Sequence, residues 1–301
     1  MIVSLFVFLG VLFLPSLAFA WGPITHISYG MEVLNNLSML IPPLQELLHA
    51  FPNDYLYGCL AADITLKKDL VRYIHHCHNW DIGLSILERA RSQKQKAFAY
   101  GYLSHLAADT ISHNYYVPYH IVASFPTRTL KHVYWELRFD ATRDQNLWKL
   151  PKKIVDQHHK SSHDQLLKGF LKPTLFSFGT NRIIFKGLMN LEHSSRWHGL
   201  VQTVANNSSW KLTDKDVQEF HSLATEAMFD FLNHGKKSKF YLIDPSGKLA
   251  LDKAKKLRKE LKHIYKRQPI RKTNQELTRI RKEFKKALFE KASLQRWVEV
   301  Q

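Results

Sequence analysis

Apolar residues recur at intervals of three and four along most of the chain, which is the spacing that places them on one face of an α-helix. Residues 26–51 follow this spacing up to a break at Pro42-Pro43. Residues 80–116 follow it as well, and they predict one or two helices that end near Pro118. Strand signals are weak, since the chain has no alternating β-branched runs separated by hairpin turns. The pattern therefore predicts an all-α protein without internal repeats.

Two later segments predict helices with recognisable ends. Residues 125–148 predict a helix that ends before Pro151, because proline disfavours a helical residue before it. Residues 216–235 predict an amphipathic helix that ends at Gly235, a residue type common just after helices.

Charge is concentrated at the C-terminal end. The 301-residue chain is 45% hydrophobic, as expected for a globular protein, but its net charge of +17 predicts an anionic partner. Residues 248–301 hold 18 Lys and Arg against 6 Asp and Glu, so they contribute +12 of that charge. They predict two basic helices, the first with a partial apolar stripe of Leu249, Leu251, Leu257, Leu261, Ile264 and Tyr265. This segment is either a solvated extension folded against the core or an electrostatic attachment to anionic membrane or nucleic acid.

The first 20 residues form one apolar stretch without Lys or Arg that ends in Ala18-Phe19-Ala20. An A-x-A ending is typical of a signal-peptidase site, although the usual basic start is missing. We expect cleavage after Ala20 and export to the periplasm or out of the cell. The alternative is an uncleaved N-terminal membrane anchor. Cleavage would leave Trp21 with a free α-amino group.

Three polar residues interrupt the apolar and aromatic run of residues 99–120 at intervals of four: His105, Asp109 and His113. On an α-helix this spacing places them in one stripe, with the first and last about 12 Å apart along the axis. Metal–ligand bonds are only about 2 Å long, so one ion cannot span all three. The stripe therefore predicts two or more ions, with Asp109 able to bridge them.

A second pair, His132 and Glu136, has the same spacing among aromatic residues, and Asp140 and Asp144 continue it as supporting partners or exposed charges. Further candidate ligands precede both stripes: Trp21, His26, Asp63, His75, His76 and His78. Nitrogen and oxygen ligands without a committed thiolate set favour zinc. Several zinc ions beside few carboxylates would leave a positive site that suits an anionic phosphodiester.

From Trp21 to Asp144, the order of these motifs resembles the zinc-dependent phospholipase C family, which is all-α and binds three zinc ions. The resemblance implies the following ligands: Trp21, through its α-amino nitrogen and carbonyl oxygen, and His26 for one zinc; Asp63, His76 and His105 for a second; Asp109 as a bridge between these two; and His113, His132 and Glu136 for the third. His78 is the alternative to His76. Asp63 is also implied as the general base.

The spacing of four from Asp109 to His113 is similar to the glycosylphosphatidylinositol-specific phospholipase D branch of this family. The secreted bacterial phospholipases C place that ligand six residues on. The resemblance implies an exported phosphodiesterase that hydrolyses phospholipids by zinc-activated hydroxide. We expect a signal peptide over 1–20, a catalytic domain over 21–246 and a basic helical extension over 247–301. We expect a monomer that meets a phospholipid or membrane surface, with the basic helices facing anionic groups.

Two alternatives stay open. The trinuclear zinc nucleases share the fold and ligands, and they place a His five residues after a mature Trp, as Trp21 and His26 do. Their last ligand pair is H-x-x-x-D, whereas Glu136 and the Ala-Ala-Asp around Asp63 favour the phospholipase side. The nucleases also usually carry disulfides that two cysteines cannot match. The other alternative is a non-catalytic membrane-associated zinc protein.

Overall fold

The computed structural model describes residues 21–65, 76–125, 132–158, 161–171, 176–210 and 212–265, together with Arg279 and Lys282. Every regular element in these ranges is a helix, which confirms the predicted all-α class. Three predictions fall outside the described residues: the signal peptide, His75 and the second basic helix. Of the residues predicted for that helix, the structure describes Arg279 and Lys282 alone. Among the described helices, none combines the length and apolar character needed to cross a membrane.

The α-helices are α1 (Pro23–Asn35), α2 (Pro42–Ala50), α3 (Pro52–Ala61), α4 (Trp80–Glu88), α5 (Gln93–Ile111), α6 (Val117–Ala123), α7 (His132–Asp140), α8 (Leu150–Gln157), α9 (Ser162–Lys168), α10 (Phe178–Glu192), α11 (Ser195–Asn206), α12 (Asp214–His234) and α13 (Lys248–Tyr265). Short 3₁₀ turns cover Leu37–Met39, Ala62–Ile64, Gln145–Lys149, Gly235–Lys237 and Lys239–Leu242, and a π-helical turn covers Ser112–Tyr116.

Prolines begin helices here more often than they end them. The break predicted at Pro42-Pro43 is present, and α2 starts at Pro42. The predicted end near Pro118 is wrong, because α5 passes through the π-helical turn into α6, with Pro118 in the first turn of α6. The first turn of α2 tolerates proline, since the N–H groups there lack intrahelical acceptors. Pro118 instead closely follows the π-helical turn, where the regular α-helical hydrogen-bond pattern is already interrupted.

Two more predicted boundaries have different outcomes. The helix expected to run on towards Pro151 ends at Asp140, and Pro151 lies in the first turn of α8. The end of α12 at Gly235 is confirmed, with φ of 55° at that glycine. Glycine adopts this left-handed conformation at little steric cost.

Helices α3 and α5 cross closely at the centre of the core. A Cβ atom placed on Gly58 would overlap the carbonyl oxygen of Phe98, and one placed on Gly101 would overlap the carbonyl oxygen of Tyr55. The two backbones can approach this far only because both positions lack a side chain. This crossing brings the end of α3 beside the C-terminal half of α5, where His105 and Asp109 lie.

The first basic helix is folded against this core. Helix α13 packs on α6 and on the π-helical turn, with Ala254 and Leu261 buried, whereas Leu249 from the predicted stripe is 59% exposed. For residues 248–265, the fold therefore supports the first alternative, an extension folded against the core. Several lysines on its outer face are exposed: Lys248, Lys253, Lys255, Lys256 and Lys259.

We predict that Gly58→Ala lowers the free energy of unfolding by about 1–3 kcal/mol or more, because the new methyl group meets a backbone carbonyl that cannot move aside. Gly187→Ala is the matched control, since Gly187 is also within a helix but has nothing within 4 Å of its Cβ position. This substitution should raise stability by about 0.5–1 kcal/mol. Urea denaturation of both variants measures the difference, and equal stabilities would contradict the close crossing.

Candidate metal centre

Five histidines form a continuous row in the described core. The ring centroids of His26 and His105 lie 3.7 Å apart, and those of His105 and His78 lie 5.0 Å apart. The row continues from His78 to His113 at 5.7 Å and from His113 to His132 at 5.1 Å. So many adjacent imidazoles are unusual in a core unless they share cations, since His is a common metal ligand.

Asp109 lies at the centre of this row and is completely buried. Its Oδ2 atom is 2.8 Å from Nε2 of His78 and 3.1 Å from Nε2 of His105. Its Oδ1 atom is 3.4 Å from Nε2 of His26. The two oxygens therefore face different histidines, as a carboxylate that bridges two ions requires.

The hydrogen bonds on the far side of the rings fix which nitrogen faces the centre. Nδ1 of His105 is 2.8 Å from the carbonyl oxygen of Cys59, and Nδ1 of His113 is 2.6 Å from that of Pro245. A carbonyl only accepts hydrogen bonds, so both Nδ1 atoms donate. The Nε2 atom of each neutral ring then carries the lone pair. Metal-ligating histidines commonly have this arrangement.

Asp63 joins the row from the 3₁₀ turn that follows α3. Its Oδ1 atom is 3.4 Å from Nε2 of His78, and its Oδ2 atom is 3.8 Å from Nε2 of His105. Ligand atoms of these three residues all lie within 4.8 Å of one another. The crossing of α3 and α5 therefore places Asp63 next to the α5 stripe.

His76, the preferred ligand from the sequence, occupies a different place. It is half-buried, and its Nδ1 atom accepts a hydrogen bond from the backbone N–H of His78 at 3.1 Å. It forms a separate group of possible ligands with Cys77 and His78. The geometry thus favours the alternative, His78, beside Asp63 and His105, while the assignment of His76 stays a prediction. Cys59 and Cys77 are both buried.

The remaining predicted ligands lie at the two ends of the row. Nε2 of His132 is 2.9 Å from Oε1 of Glu136, and the His132 ring packs edge-on against His113. At the other end, the Trp21 indole is fully buried and donates to the carbonyl oxygen of Ala108, the residue before Asp109. With the exception of His76, the structure therefore brings the predicted ligands from Trp21 to Glu136 into one region.

Asp140 and Asp144 have different roles. Asp140 is buried, and its Oδ1 atom accepts hydrogen bonds from the backbone N–H and the hydroxyl of Thr25, so it holds the first turn of α1 next to His26. Burial raises the pKa of Asp140 to about 7, although the Thr25 hydrogen bonds act in the opposite direction. Asp144 is exposed and accepts from the N–H of Asn146 in a turn.

The electrostatics of the row centre on Asp109. Burial raises the pKa of Asp109, but His105 and His26 outweigh burial and hold that pKa well below its ordinary range. Burial lowers the pKa of His26, and the neighbouring His105 lowers it further. Burial also lowers the pKa of His105, but Asp109 and Asp63 reverse this and leave it above the ordinary value. The site therefore contains an ionised carboxylate that attracts cations.

Comparison with known families agrees with this geometry. The family model described as zinc dependent phospholipase C matches residues 25–178, just over half of the 301-residue chain. The chain belongs to the zinc dependent phospholipase C family. Searches of curated proteins and of solved structures find no significant match. The matched range contains every predicted ligand except Trp21.

The residues present fit the zinc ions on which this family depends. Nε2 of His26 and both carboxylate oxygens of Asp109 are buried, and although they lie 2.8–3.4 Å from polar atoms of the row, no well-aligned hydrogen bond satisfies them among the described residues. Such atoms are costly unless a cation is bound to them. Two groups in the row could hold an ion: His26, His105 and Asp109, and Asp63, His78 and His105. Nitrogen and carboxylate donors suit zinc.

His113 is held in place by residues that lie beyond the range matched by the family model. Gly247, with φ of 57°, lies so close that a Cβ atom there would overlap the Cβ and carbonyl of His113. The Pro245 carbonyl accepts from the His113 ring, and the Asp244 carbonyl accepts from the Asn114 side chain at 2.8 Å. Sequence reasoning missed this segment, because the only local signal was a glycine at the start of the basic helix.

We predict that Gly247→Ala reduces the zinc content of the purified protein by one ion per chain, since the added methyl group displaces His113. Gly235→Ala is the control, because Gly235 has φ of 55° but nothing within 4 Å of its Cβ position. Both substitutions carry the roughly 1–2 kcal/mol cost of a left-handed alanine. Inductively coupled plasma mass spectrometry counts the zinc, and an equal loss in both variants would contradict the close contact with His113.

Proposed function

We propose that this protein is an exported, zinc-dependent phosphodiesterase that hydrolyses phospholipids. Membership of the zinc dependent phospholipase C family supports a hydrolase. The observation that carries the proposal is the Asp109 carboxylate, whose two oxygens face different histidines within one buried row. A bridged group of cations suits a phosphodiester because it can neutralise charge on both the attacking and the leaving oxygen.

The chain's own residues have distinct parts in this chemistry. Bound zinc would supply a Lewis acid and would lower the pKa of water. Asp63 is 5% exposed and lies at the edge of the row, so its carboxylate can accept a proton from water beside the phosphate. Cys59 and Pro245 orient the His105 and His113 rings through their carbonyl oxygens. Three ions would be held by the predicted ligand set, with His78 as the alternative to His76.

We include Trp21 in the proposal as the mature N-terminus. Its buried indole is packed against Tyr116 and Phe139, with ring centroids 4.6 and 4.1 Å away. This packing would hold the backbone of Trp21 close to Asp109, as ligation through a freed α-amino group requires. This part of the proposal depends on export, because only removal of residues 1–20 would free that group.

The basic C-terminal part adds a surface for the substrate. Exposed lysines of α13 would attract anionic phospholipid head groups, and each basic group near a charged membrane contributes about 1 kcal/mol. Helix α13 follows the Asp244–Gly247 segment that supports His113. A membrane bound through α13 would therefore lie close to the metal row.

A nuclease acting on single-stranded nucleic acid is the second candidate. The five-residue spacing from Trp21 to His26 favours it, and exposed lysines would also attract a phosphate backbone. Glu136, close to His132 at the end of the row, favours the phospholipase over the nuclease.

The test uses protein that begins at Trp21, loaded with zinc and assayed on phospholipid vesicles with neutral and anionic head groups and, in parallel, on single-stranded DNA. We predict phospholipid hydrolysis that Asp63→Asn reduces by about 10²–10⁴-fold, the range typical of a lost general base. Asp81→Asn is the control, because Asp81 is an exposed carboxylate in the first turn of α4 and should leave turnover unchanged.

Each result has a clear meaning. Cleavage of DNA without hydrolysis of any phospholipid would overturn the phospholipase in favour of the nuclease. Zinc-loaded protein that cleaves neither substrate would favour the non-catalytic membrane-associated protein. Equal turnover in Asp63→Asn and Asp81→Asn would show that Asp63 is not the general base.

A further inference from the structure

A second group of histidines and a carboxylate lies apart from the imidazole row. It consists of Asp54 at the start of α3, His158 just after α8 and His163 in the first turn of α9. Asp54 precedes Asp63 by nine residues, which corresponds to about 13 Å along a helix axis. We propose that these three residues bind one further zinc ion, with a structural role.

The ligand atoms have the spacing that a metal ion needs. Nε2 of His163 is 2.6 Å and Nε2 of His158 is 3.4 Å from Oδ1 of Asp54. The three ligand atoms lie within 4.8 Å of one another, the same limit that the two groups in the imidazole row meet. Bonds of about 2.0–2.2 Å to one ion would need only small side-chain movements.

The hydrogen bond on the far side of His158 matches the pattern of the row. Its Nδ1 atom is 2.8 Å from the carbonyl oxygen of Ile154, so this nitrogen donates and Nε2 faces Asp54. His105 and His113 show the same arrangement with Cys59 and Pro245. A lone pair on Nε2 that faces a carboxylate oxygen requires a proton or a metal ion between them.

Stacking fixes both rings in the direction of Asp54. The His158 ring lies parallel to Tyr57 with centroids 4.7 Å apart, and the His163 ring lies parallel to Phe98 at 4.8 Å. The Tyr57 hydroxyl in turn donates to Asp164, which also pairs with Arg182 at 2.7 Å. Ligands held in place by their surroundings lose little freedom when a metal binds.

Charge and exposure also suit a cation. The Asp54 carboxylate lies between two imidazole nitrogens and offers an oxygen ligand to an ion placed there. The Asp54 side chain is 13% exposed, which leaves access for an ion and for water as a fourth ligand. Two imidazole nitrogens and one carboxylate oxygen select zinc over magnesium or calcium.

The position of the site indicates what the ion would do. Asp54 belongs to α3, which contributes to the close crossing with α5, whereas His158 and His163 lie on either side of the connection between α8 and α9. A zinc ion there would tie that connection to α3. The inference does not rest on the proposed activity, because it concerns zinc binding by residues outside the row.

Zinc counting on the full mature protein tests this inference. Wild type and variants are dialysed against micromolar zinc and then against metal-free buffer, and the zinc content is measured by mass spectrometry. His158→Gln should hold one zinc fewer per chain than wild type. His234→Gln is the matched control, since His234 pairs with Asp230 at 3.0 Å on the surface without a third possible ligand among the described residues, and it should keep the full count.

The result is independent of any phospholipase activity. An unchanged zinc count in His158→Gln would overturn the inference. It would mean that Asp54 and His163 are linked by a hydrogen bond and not by a metal ion. If His158→Gln fails to fold, Asp54→Asn provides the same comparison, because an amide keeps the side-chain shape but is a poor zinc ligand. If neither variant folds, anomalous diffraction at the zinc edge from wild-type crystals decides. A peak beside Nε2 of His163 is expected, and its absence would overturn the inference.

Discussion

A buried, ionised carboxylate among imidazole nitrogens determines how this protein is built. Asp109 is completely buried, and its two oxygens lie 2.8–3.4 Å from imidazole nitrogens without a well-aligned hydrogen bond among the described residues. An isolated charge in that position would destabilise the fold by several kcal/mol. Imidazoles surround it on several sides, with His26, His78 and His105 nearest. Groups of His and Asp in the row could hold metal ions, which agrees with membership of a zinc-dependent family.

The rest of the core serves to bring this arrangement together. Helices α3 and α5 approach through Gly58 and Gly101, which places the Cys59 carbonyl on the back of the His105 ring. The π-helical turn continues α5 into α6 and carries His113 towards the Pro245 carbonyl. Segments distant in sequence thus orient individual rings, and ring orientation decides which nitrogen can bind a metal.

Much of this arrangement could be predicted from spacing within single helices. The intervals of four, from His105 in α5 to His113 in the π-helical turn and from His132 to Glu136 in α7, predicted the two stripes, because helical periodicity is a local property. Spacing could not choose between His76 and His78, since that choice depends on the path of the backbone between α3 and α4. The support from Gly247 was equally hidden, because it depends on a contact between residues more than 130 positions apart. The group of Asp54, His158 and His163 was missed for the same reason.

The central claim is that Asp109 bridges metal ions, and the zinc content of Asp109→Asn tests it most directly. The asparagine keeps the size of the side chain but removes its charge and its ability to bridge. We predict that Asp109→Asn, purified from Trp21 onwards, loses two zinc ions per chain. Asp144→Asn, at an exposed turn four residues after Asp140, should lose none. An Asp109→Asn protein with the full zinc content of wild type would contradict the account.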